Sequence, residues 1–557
     1  MNINLRDYLY LAEGQDMTLS AVTAVQNANE GDTVSLGGGE LHFYPKYAFE
    51  KEYYISNNDF GVKPIVFPLI GKKNVTIDGE GAKIIFHGKV MPFVIDGSEN
   101  ITVKNLTVEY SEPMYFHGKI LDAGDDYVEM EYDDSMFHCD ILDHKFRFYG
   151  DGWENVTDKV LVNEFDGDFK GPVPVTDTYF AYLGETKADS FLAGFYRYLK
   201  ASKPADNRLR LEGHFNIKHN VGKYWLCAHN SREFPGIFGN DSKNITIENV
   251  TLNHTLAMGV ICQICENITL KNVQAVPSEG RLLSVDADAT HFVNCSGLIH
   301  IDGCRFESMM DDSCNIHGMY VPVSKKLDDH TVLLHFGHEQ QRGVNIFKAG
   351  DRVGITDNET LCRYAEVTVK ESKLLSKEFV VLETEEILPE NLPAGHAFEN
   401  FTRMPEVHIE NTCCGYNRPR GFLLSTCKDA LVENCTFYNI NQAIDINGDA
   451  NSWFESGPCG NLVVRNNRFD NAAYSGGAVI QALPQQKVVT DVPYSKSLIV
   501  ENNYFRMHEP RFMFIRSFDK VVYRNNQFYQ DESLTPAWGI SEDGFIIENC
   551  NQVEVEK

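Results

Sequence analysis

The chain has 557 residues, and its 79 Asp and Glu against 50 Lys and Arg give a formal net charge of −29. A hydrophobic fraction of 43% supplies a large core and excludes a disordered or fibrous chain. The acid excess excludes nucleic acid as a partner, because binding to a phosphate backbone depends on Lys and Arg.

Two features of the sequence bear on where the protein works. No apolar run approaches the roughly 18 residues of a transmembrane helix, so we expect no membrane partner. The first residues lack a basic region followed by an apolar stretch, which favours a cytoplasmic protein, or a secreted one whose leader has been removed. Cys262 and Cys265 form a CxxC inside an apolar strand pattern. We therefore predict buried thiols there, and neither a metal nor another cofactor.

The N-terminal segment predicts a cap. Leu19, Val22 and Val25 have helical spacing, and a first strand is expected after Gly31. The end of a strand stack is an open sheet edge that needs a cover. This segment is expected to supply it.

A short phrase then recurs along the chain, in which an alternating β-branched run is followed by Asn. Asn249 and Asn272 are 23 residues apart. The same spacing separates Asn411 from Asn434. Such a period without intervening helices predicts an all-β right-handed parallel β-helix with one coil per repeat. The marker Asn suits a corner, where it tolerates left-handed backbone and bonds the next coil.

The repeat disappears twice, over residues 113–234 and 321–402, where alternating strands and tight turns predict inserted antiparallel, barrel-like β modules. Insertions in a solenoid cluster on one face, often the binding face. The predicted organisation is a cap with first coils (1–112), a first module (113–234), central coils (235–320), a second module (321–402) and C-terminal coils (403–557).

Three acids border the second interruption. Asp288 and Asp311 are 23 residues apart, which predicts stacking on adjacent coils, and Asp312 follows directly. Carboxylates about 4.8 Å apart resist joint ionisation, so at least one pKa rises and a general acid lies beside carboxylate bases. That combination suits hydrolysis of a glycosidic bond. The alternative is that all three are ordinary turn residues.

Other polar or aromatic side chains near these motifs are candidates for binding a sugar. The histidines, amide, arginines and carboxylate would bond hydroxyl groups, and the indole would stack on a sugar face. Each has a structural alternative, such as a surface ion pair or a corner ladder. The candidates for substrate binding are His291, His317, Asn315, Arg281, Arg420, Trp453 and Asp445.

The motifs DADATHFVNCSG and MMDDSCNIHGMYV, in a β-helix with two inserted β modules, resemble the α-1,3-galactosidases of glycoside hydrolase family 110. The resemblance implies hydrolysis of terminal α-1,3-linked galactose from an oligosaccharide or glycan, with inversion and without a metal. It places the catalytic acids at Asp288, Asp311 and Asp312. By analogy with polygalacturonase-type β-helix hydrolases, Asp311 is the general acid, and the other two hold and deprotonate water.

Two other functions are compatible with a β-helix. A polysaccharide lyase usually needs calcium and a basic residue near the sugar, and no Lys or Arg adjoins the three acids in sequence. A non-catalytic carbohydrate-binding solenoid would tolerate loss of the acids. The sequence leaves open the oligomeric state and the choice between linear and branched, fucosylated substrates.

Overall fold

Three parallel β-sheets run along the chain in the computed structural model, which describes residues 2–168, 171–174, 176, 178–184, 196–229, 232–533 and 541–556. Each coil adds one short strand to a sheet, and that strand pairs with the equivalent strand of the next coil. Buried aliphatic and aromatic side chains fill the space between the sheets. The fold is a right-handed parallel β-helix, as the repeat predicts.

The first sheet contains the alternating runs of the repeat. Its strands are Thr33–Ser35, Thr76–Phe86, Glu99–Tyr110, Lys243–Leu252, Glu266–Lys271, Ser296–Asp302, Glu406–Glu410, Asp429–Glu433, Asn461–Arg465, Ser495–Glu501, Phe518–Arg524 and Gln552–Val555. The second sheet follows the corner and contains Gln274–Ala275, Arg305–Glu307, Cys413–Gly415, Thr436–Tyr438, Arg468–Asp470, Tyr504–Met507 and Gln527–Gln530.

The third sheet lies on the face that carries the candidate acids. Its strands are Phe60–Ile70, Met91–Asp96, Ile237–Asn240, Val260–Gln263, Thr290–Val293, Cys314–Lys326, Phe422–Leu424, Ile444–Ile446, Ile480–Ala482, Met513–Arg516 and Phe545–Glu548.

The marker asparagines form ladders at the corners, which confirms the prediction. Asn249 has a φ of 53° and Asn272 a φ of 50°, both in the left-handed region. The Asn272 amide donates to Asn249 Oδ1 at 2.8 Å, and the Asn249 amide donates to Asn105 Oδ1 at 3.1 Å. The recurring Asn therefore satisfies both the backbone of its corner and the side chain of the next coil.

The N-terminal cap contains a helix, Thr18–Asn27, as predicted. Its buried face runs through Ala21, Ala24 and Val25, which join the core of the first coils, whereas Leu19 is half-buried. The predicted first strand is Thr33–Ser35. No helix among the described residues is long and apolar enough to span a membrane.

The first inserted module is a β-barrel that closes because Lys159–Asp166 pairs with Tyr224–Ala228. Its pairs are antiparallel except that Tyr179–Leu183 runs parallel to Tyr196–Ala205. The other barrel strands are Tyr115–Ala123, Tyr127–Glu131, Gly171–Pro172 and Arg208–Glu212, and a separate three-stranded sheet contains His138–Leu142, Lys145–Gly150 and Trp153–Thr157.

The second inserted module is an antiparallel barrel that shares a strand with the β-helix. The strand Cys314–Lys326 begins in the third sheet and ends in the barrel, so the module is anchored directly beside the candidate acids. Its remaining strands are Thr331–His335, Arg352–Thr356, Arg363–Leu374, Phe379–Thr384 and Ala397–Asn400.

All 14 cysteines are free thiols. Cys262 and Cys265 are both buried in the core, as their apolar context predicts. Burial raises the thiol pKa of each of the buried cysteines Cys304 and Cys314 to about 12, so these groups stay protonated at neutral pH.

Candidate active site

Consecutive coils of the third sheet stack the site residues at one edge. The register pairs Thr290 with Cys314, so Asp288 and Asp312, each two residues upstream, lie one above the other. The Asp312 backbone N–H donates to Asp288 Oδ1 at 3.3 Å. On the next coil, the backbone N–H of Arg420 donates to Asp312 Oδ1 at 3.1 Å. The stacking order is therefore Asp288, Asp312, Arg420.

The predicted stacking of Asp288 on Asp311 is wrong by one residue. This coil has 24 residues between paired positions instead of 23, which brings Asp312 into register. Asp311 lies beside the stack, with 17% of its side chain exposed against 3% for Asp288 and 1% for Asp312. Each carboxylate still places an oxygen within 4.8 Å of the other two, so the three acids form one cluster.

Arginines from distant parts of the chain surround the acids. Arg232, just after the first module, pairs with the Asp311 carboxylate. Arg420 grips Asp312 with two contacts, Nη2 to Oδ2 at 2.8 Å and Nε to Oδ1 at 2.9 Å. Its Nη1 lies 3.7 Å from Asp445 Oδ2. Such bidentate pairs fix the orientation of a carboxylate as well as its charge.

The surroundings separate the three pKa values. Burial, and then the charge of Asp311, raise the pKa of Asp288 well above its ordinary value. Burial also raises the pKa of Asp312 well above the usual range, against the opposing charge of Arg420. For Asp311, burial is outweighed by the neighbouring arginines, first Arg232, and the pKa is lowered. The acids titrate as a unit that retains a proton when Asp311 is already ionised.

The acids line a cavity of about 550 Å³. Its wall includes Tyr179 and Phe180 from the first module. Asn315 exposes its side chain here, and its buried Oδ1 has no hydrogen-bond partner among the described residues. Of the residues predicted from sequence, those that line the cavity are Asp288, His291, Asp311, Asp312, Asn315, Arg420, Asp445 and Trp453.

Two predicted binding residues do not line the cavity. Arg281 is buried elsewhere, with Nη1 2.6 Å from Glu109 Oε1 and Nη2 donating to the Tyr110 carbonyl at 2.7 Å. His317 lies behind His291, and their Nε2 atoms are 3.0 Å apart. Neither side chain is placed to touch a sugar in the cavity, because each is held by protein groups outside it.

Trp453 is 47% exposed and lies at the cavity wall. Its ring packs on His338 of the second module, with centroids 4.6 Å apart. Its backbone N–H donates to Asp449 Oδ2 at 2.6 Å, which fixes the loop. The indole therefore has one supported face and an exposed edge.

Sequence reasoning missed Arg232 and Glu455 and gave Arg418 little weight. All three line the cavity, and burial lowers the pKa of Arg418 despite the adjacent carboxylates. The absence of a basic residue near the acids in sequence does not hold in space, so that argument against a lyase is wrong. Arg418 and Arg420 lie in one short motif, NRPRG, and its two arginines were the available signal.

Two clusters among the described residues have donor atoms within 4.8 Å of one another, as a metal site requires. One is the acid cluster itself, where the arginines already supply positive charge. The other contains His300, His408 and Glu410 on the outer face of the first sheet, where His300 Nε2 lies 3.0 Å from Glu410 Oε1. Neither offers the six to eight oxygens that calcium prefers.

Comparisons with known proteins agree with this architecture. Family models described as GLAA-B beta-barrel domain I and domain II match residues 116–224 and 331–397. Alpha-1,3-galactosidase A of Shewanella woodyi is 32% identical over 504 residues, covering 88% of this chain and 80% of the relative. An alpha-1,3-galactosidase B of Phocaeicola vulgatus is 31% identical, covering 95% and 89%.

Among solved structures, the family 28 exopolygalacturonase of Yersinia enterocolitica aligns with a TM-score of 0.38 and 10% identity, covering all of this chain and 79% of that one. Fold and site together define a glycoside hydrolase of the parallel β-helix type. The chain belongs to the α-1,3-galactosidase family, glycoside hydrolase family 110.

Proposed function

We propose that the protein is an inverting exo-α-1,3-galactosidase that removes terminal α-1,3-linked galactose from oligosaccharides or glycans. The observation that carries the proposal is the cluster of Asp288, Asp311 and Asp312, whose carboxylates lie within 4.8 Å of one another in a cavity. The names of the relatives support the substrate class. A cavity of about 550 Å³ accommodates a ligand of a few sugar rings.

In the proposed mechanism Asp311 protonates the leaving oxygen, because it is the most exposed of the three acids. Asp288 and Asp312, deeper and in register, hold the attacking water between them. General acid–base catalysis of this kind contributes about 10²–10⁴-fold. The acid role requires that Arg232 leave Asp311 when the sugar enters, since their ion pair keeps the pKa of Asp311 low.

The proposed inversion does not follow from the separation rule alone. Opposed carboxylates in inverting enzymes are about 6.5–9.5 Å apart, wider than the spacing in this cluster. Two carboxylates beside one acid instead hold a water at the edge of the cluster. The water, and not an aspartate, then attacks the anomeric carbon.

The cavity also supplies groups for sugar recognition. The unpartnered Asn315 Oδ1 is an acceptor for a sugar hydroxyl. Arg418 and Asp445 supply a donor and an acceptor on the opposite coils. Trp453 offers an aromatic surface for the apolar face of a ring.

The test is incubation with α-1,3-galactobiose and with a branched, fucosylated analogue, followed by proton NMR during the first minutes. We expect free galactose, with the β-anomer appearing first. α-Galactose before mutarotation would contradict inversion, and no galactose from either substrate would contradict the activity. The inactive control is Asp312→Asn.

A further inference from the structure

A chain of hydrogen bonds leads from the acid cluster into the protein. Asp288 Oδ2 lies 2.5 Å from His291 Nδ1, and His291 Nε2 lies 3.0 Å from His317 Nε2. His317 Nδ1 lies 2.8 Å from the carbonyl oxygen of Gly318. All three side chains are buried, each with 3% or less exposed. The chain thus begins at the cavity and ends on a backbone acceptor.

Counting protons along this chain constrains its charge. Three hydrogen bonds require three protons, whereas a carboxylate and two neutral imidazoles bring only two. A carbonyl oxygen can only accept, so His317 Nδ1 carries a hydrogen. If His317 is neutral, its Nε2 accepts from His291 Nε2–H, and His291 Nδ1 must then accept from Asp288. The completed chain holds one additional proton and has no net charge.

We infer that His291 and His317 form a positioning relay that stores the catalytic proton on Asp288 in the resting enzyme. This inference rests on the proposed function and extends it to two residues that act through Asp288. It also gives His317 a role without contact to the sugar.

The charged groups around the relay favour this placement. Burial lowers the pKa of His291 to about 4 and lowers that of His317 as well, which disfavours an imidazolium in either ring. Glu455, whose Oε1 lies 3.6 Å from His317 Nε2, opposes this effect, and Arg232 reinforces it at His291. On the cavity side, Asp311 raises the pKa of Asp288.

The stored proton then completes a balanced cycle. When the sugar displaces Arg232, the proton passes from Asp288 to Asp311, over a gap of at most 4.8 Å between oxygens. Asp311 gives it to the glycosidic oxygen as the bond to the anomeric carbon breaks. The deprotonated Asp288 leaves one hydrogen bond of the relay without a proton, so it takes one from the attacking water. Water's oxygen joins the anomeric carbon, and the relay returns to its starting state.

The first test needs no substrate and so stands even if the proposed function fails. Nitrogen-15 NMR of histidine-labelled wild-type protein at neutral pH reports which ring nitrogens carry hydrogen. We expect His291 to be protonated at Nε2 only and His317 at Nδ1 only. Protonation of His291 at Nδ1, or an imidazolium at His317, would overturn the inference.

The second test compares His317→Leu with His317→Gln. Leucine removes the acceptor for His291 Nε2–H, whereas the glutamine amide replaces both a donor and an acceptor. We expect the basic limb of the kcat/KM profile to move about one pH unit lower in the leucine variant and to stay near wild type in the glutamine variant. An equal loss in both variants at every pH would indicate a merely structural role and refute the relay.

His254 provides a matched control. It is also fully buried, its Nδ1 lies 2.8 Å from the Ser284 carbonyl oxygen, and it does not line the cavity. His254→Gln should leave the limb unmoved. A shift of the same size in this variant would show that the limb reports general destabilisation, and would count against the relay.

Discussion

Replacing single cluster acids by asparagine should separate catalysis from stability. Asp288→Asn and Asp312→Asn each remove one carboxylate and keep the side-chain shape. Both should lose about 10²–10⁴-fold in turnover, because each proposed role needs an ionisable oxygen. Their free energies of unfolding, however, should change in different directions.

For Asp312→Asn, the loss comes from Arg420. Its guanidinium gives up a bidentate partner at 2.8 and 2.9 Å and keeps only Asp445, 3.7 Å away. Breaking a buried ion pair from one side costs about 3–5 kcal/mol. Arg420 retains 28% side-chain exposure, so we expect a loss near about 3 kcal/mol.

For Asp288→Asn, the amide donates to His291 Nδ1 as the protonated carboxyl does, and the change should be within about 1 kcal/mol at pH 4. Burial raises the pKa of Asp288 in the folded protein, so the folded state binds this proton more tightly than the unfolded state. The wild type therefore loses stability as pH rises above about 4, by about 1.4 kcal/mol per pH unit until the folded pKa is reached. The asparagine introduced by Asp288→Asn does not titrate, so the variant should gain on the wild type over that window.

Urea unfolding followed by circular dichroism, at pH 5, 6 and 7, measures both effects alongside kcat/KM. Equal destabilisation by the two substitutions would refute the reasoning. So would a difference between Asp288→Asn and wild type that does not change with pH.

Three further outcomes are expected. Arg281→Met should lower the free energy of unfolding by about 3 kcal/mol, since it leaves Glu109 buried without its partner, and should leave kcat unchanged; a large fall in kcat would place Arg281 in catalysis after all. Trp453→Ala should raise KM for α-1,3-galactobiose about 2–10-fold with little effect on kcat, and an equal fall in kcat would contradict a stacking role. Full turnover should survive exhaustive dialysis against a chelator, whereas loss that added calcium restores would favour a lyase.

Much of the fold is predictable because each coil repeats the same local physics. Alternation buries one side of each strand, and the corner asparagine needs only a left-handed residue with an amide. Coil length is less regular: Val260 pairs with Thr290, 30 residues on, whereas Thr290 pairs with Cys314 after 24. A register predicted from the average period is therefore uncertain by several residues at any one coil, and this is why Asp311 was placed where Asp312 lies.

The acids of the site are recognisable from sequence, but their partners are not. Asp311 and Asp312 are adjacent, and a doublet beside an interruption is a local signal. Arg232 and Arg420 reach them from 79 and 108 residues away. Those distances are set by the inserted modules, whose lengths carry no information about which coil follows. The relay was missed for a related reason, since the residue types of His291 and His317 do not reveal which one faces the cavity.

The first inserted module also bears on the order of folding. Strand Lys243–Leu252 pairs with Glu99–Tyr110 across 144 residues, a separation that makes the contact slow to form from an open chain. Within the module, however, Tyr115 pairs with Ala228, so a folded barrel brings its own two ends together. The barrel then acts as a clasp that shortens the gap to a few residues on either side. We expect pulse-labelled hydrogen exchange to protect Tyr224–Ala228 before Lys243–Leu252, and the β-helix to assemble across a junction that its insertion has already closed.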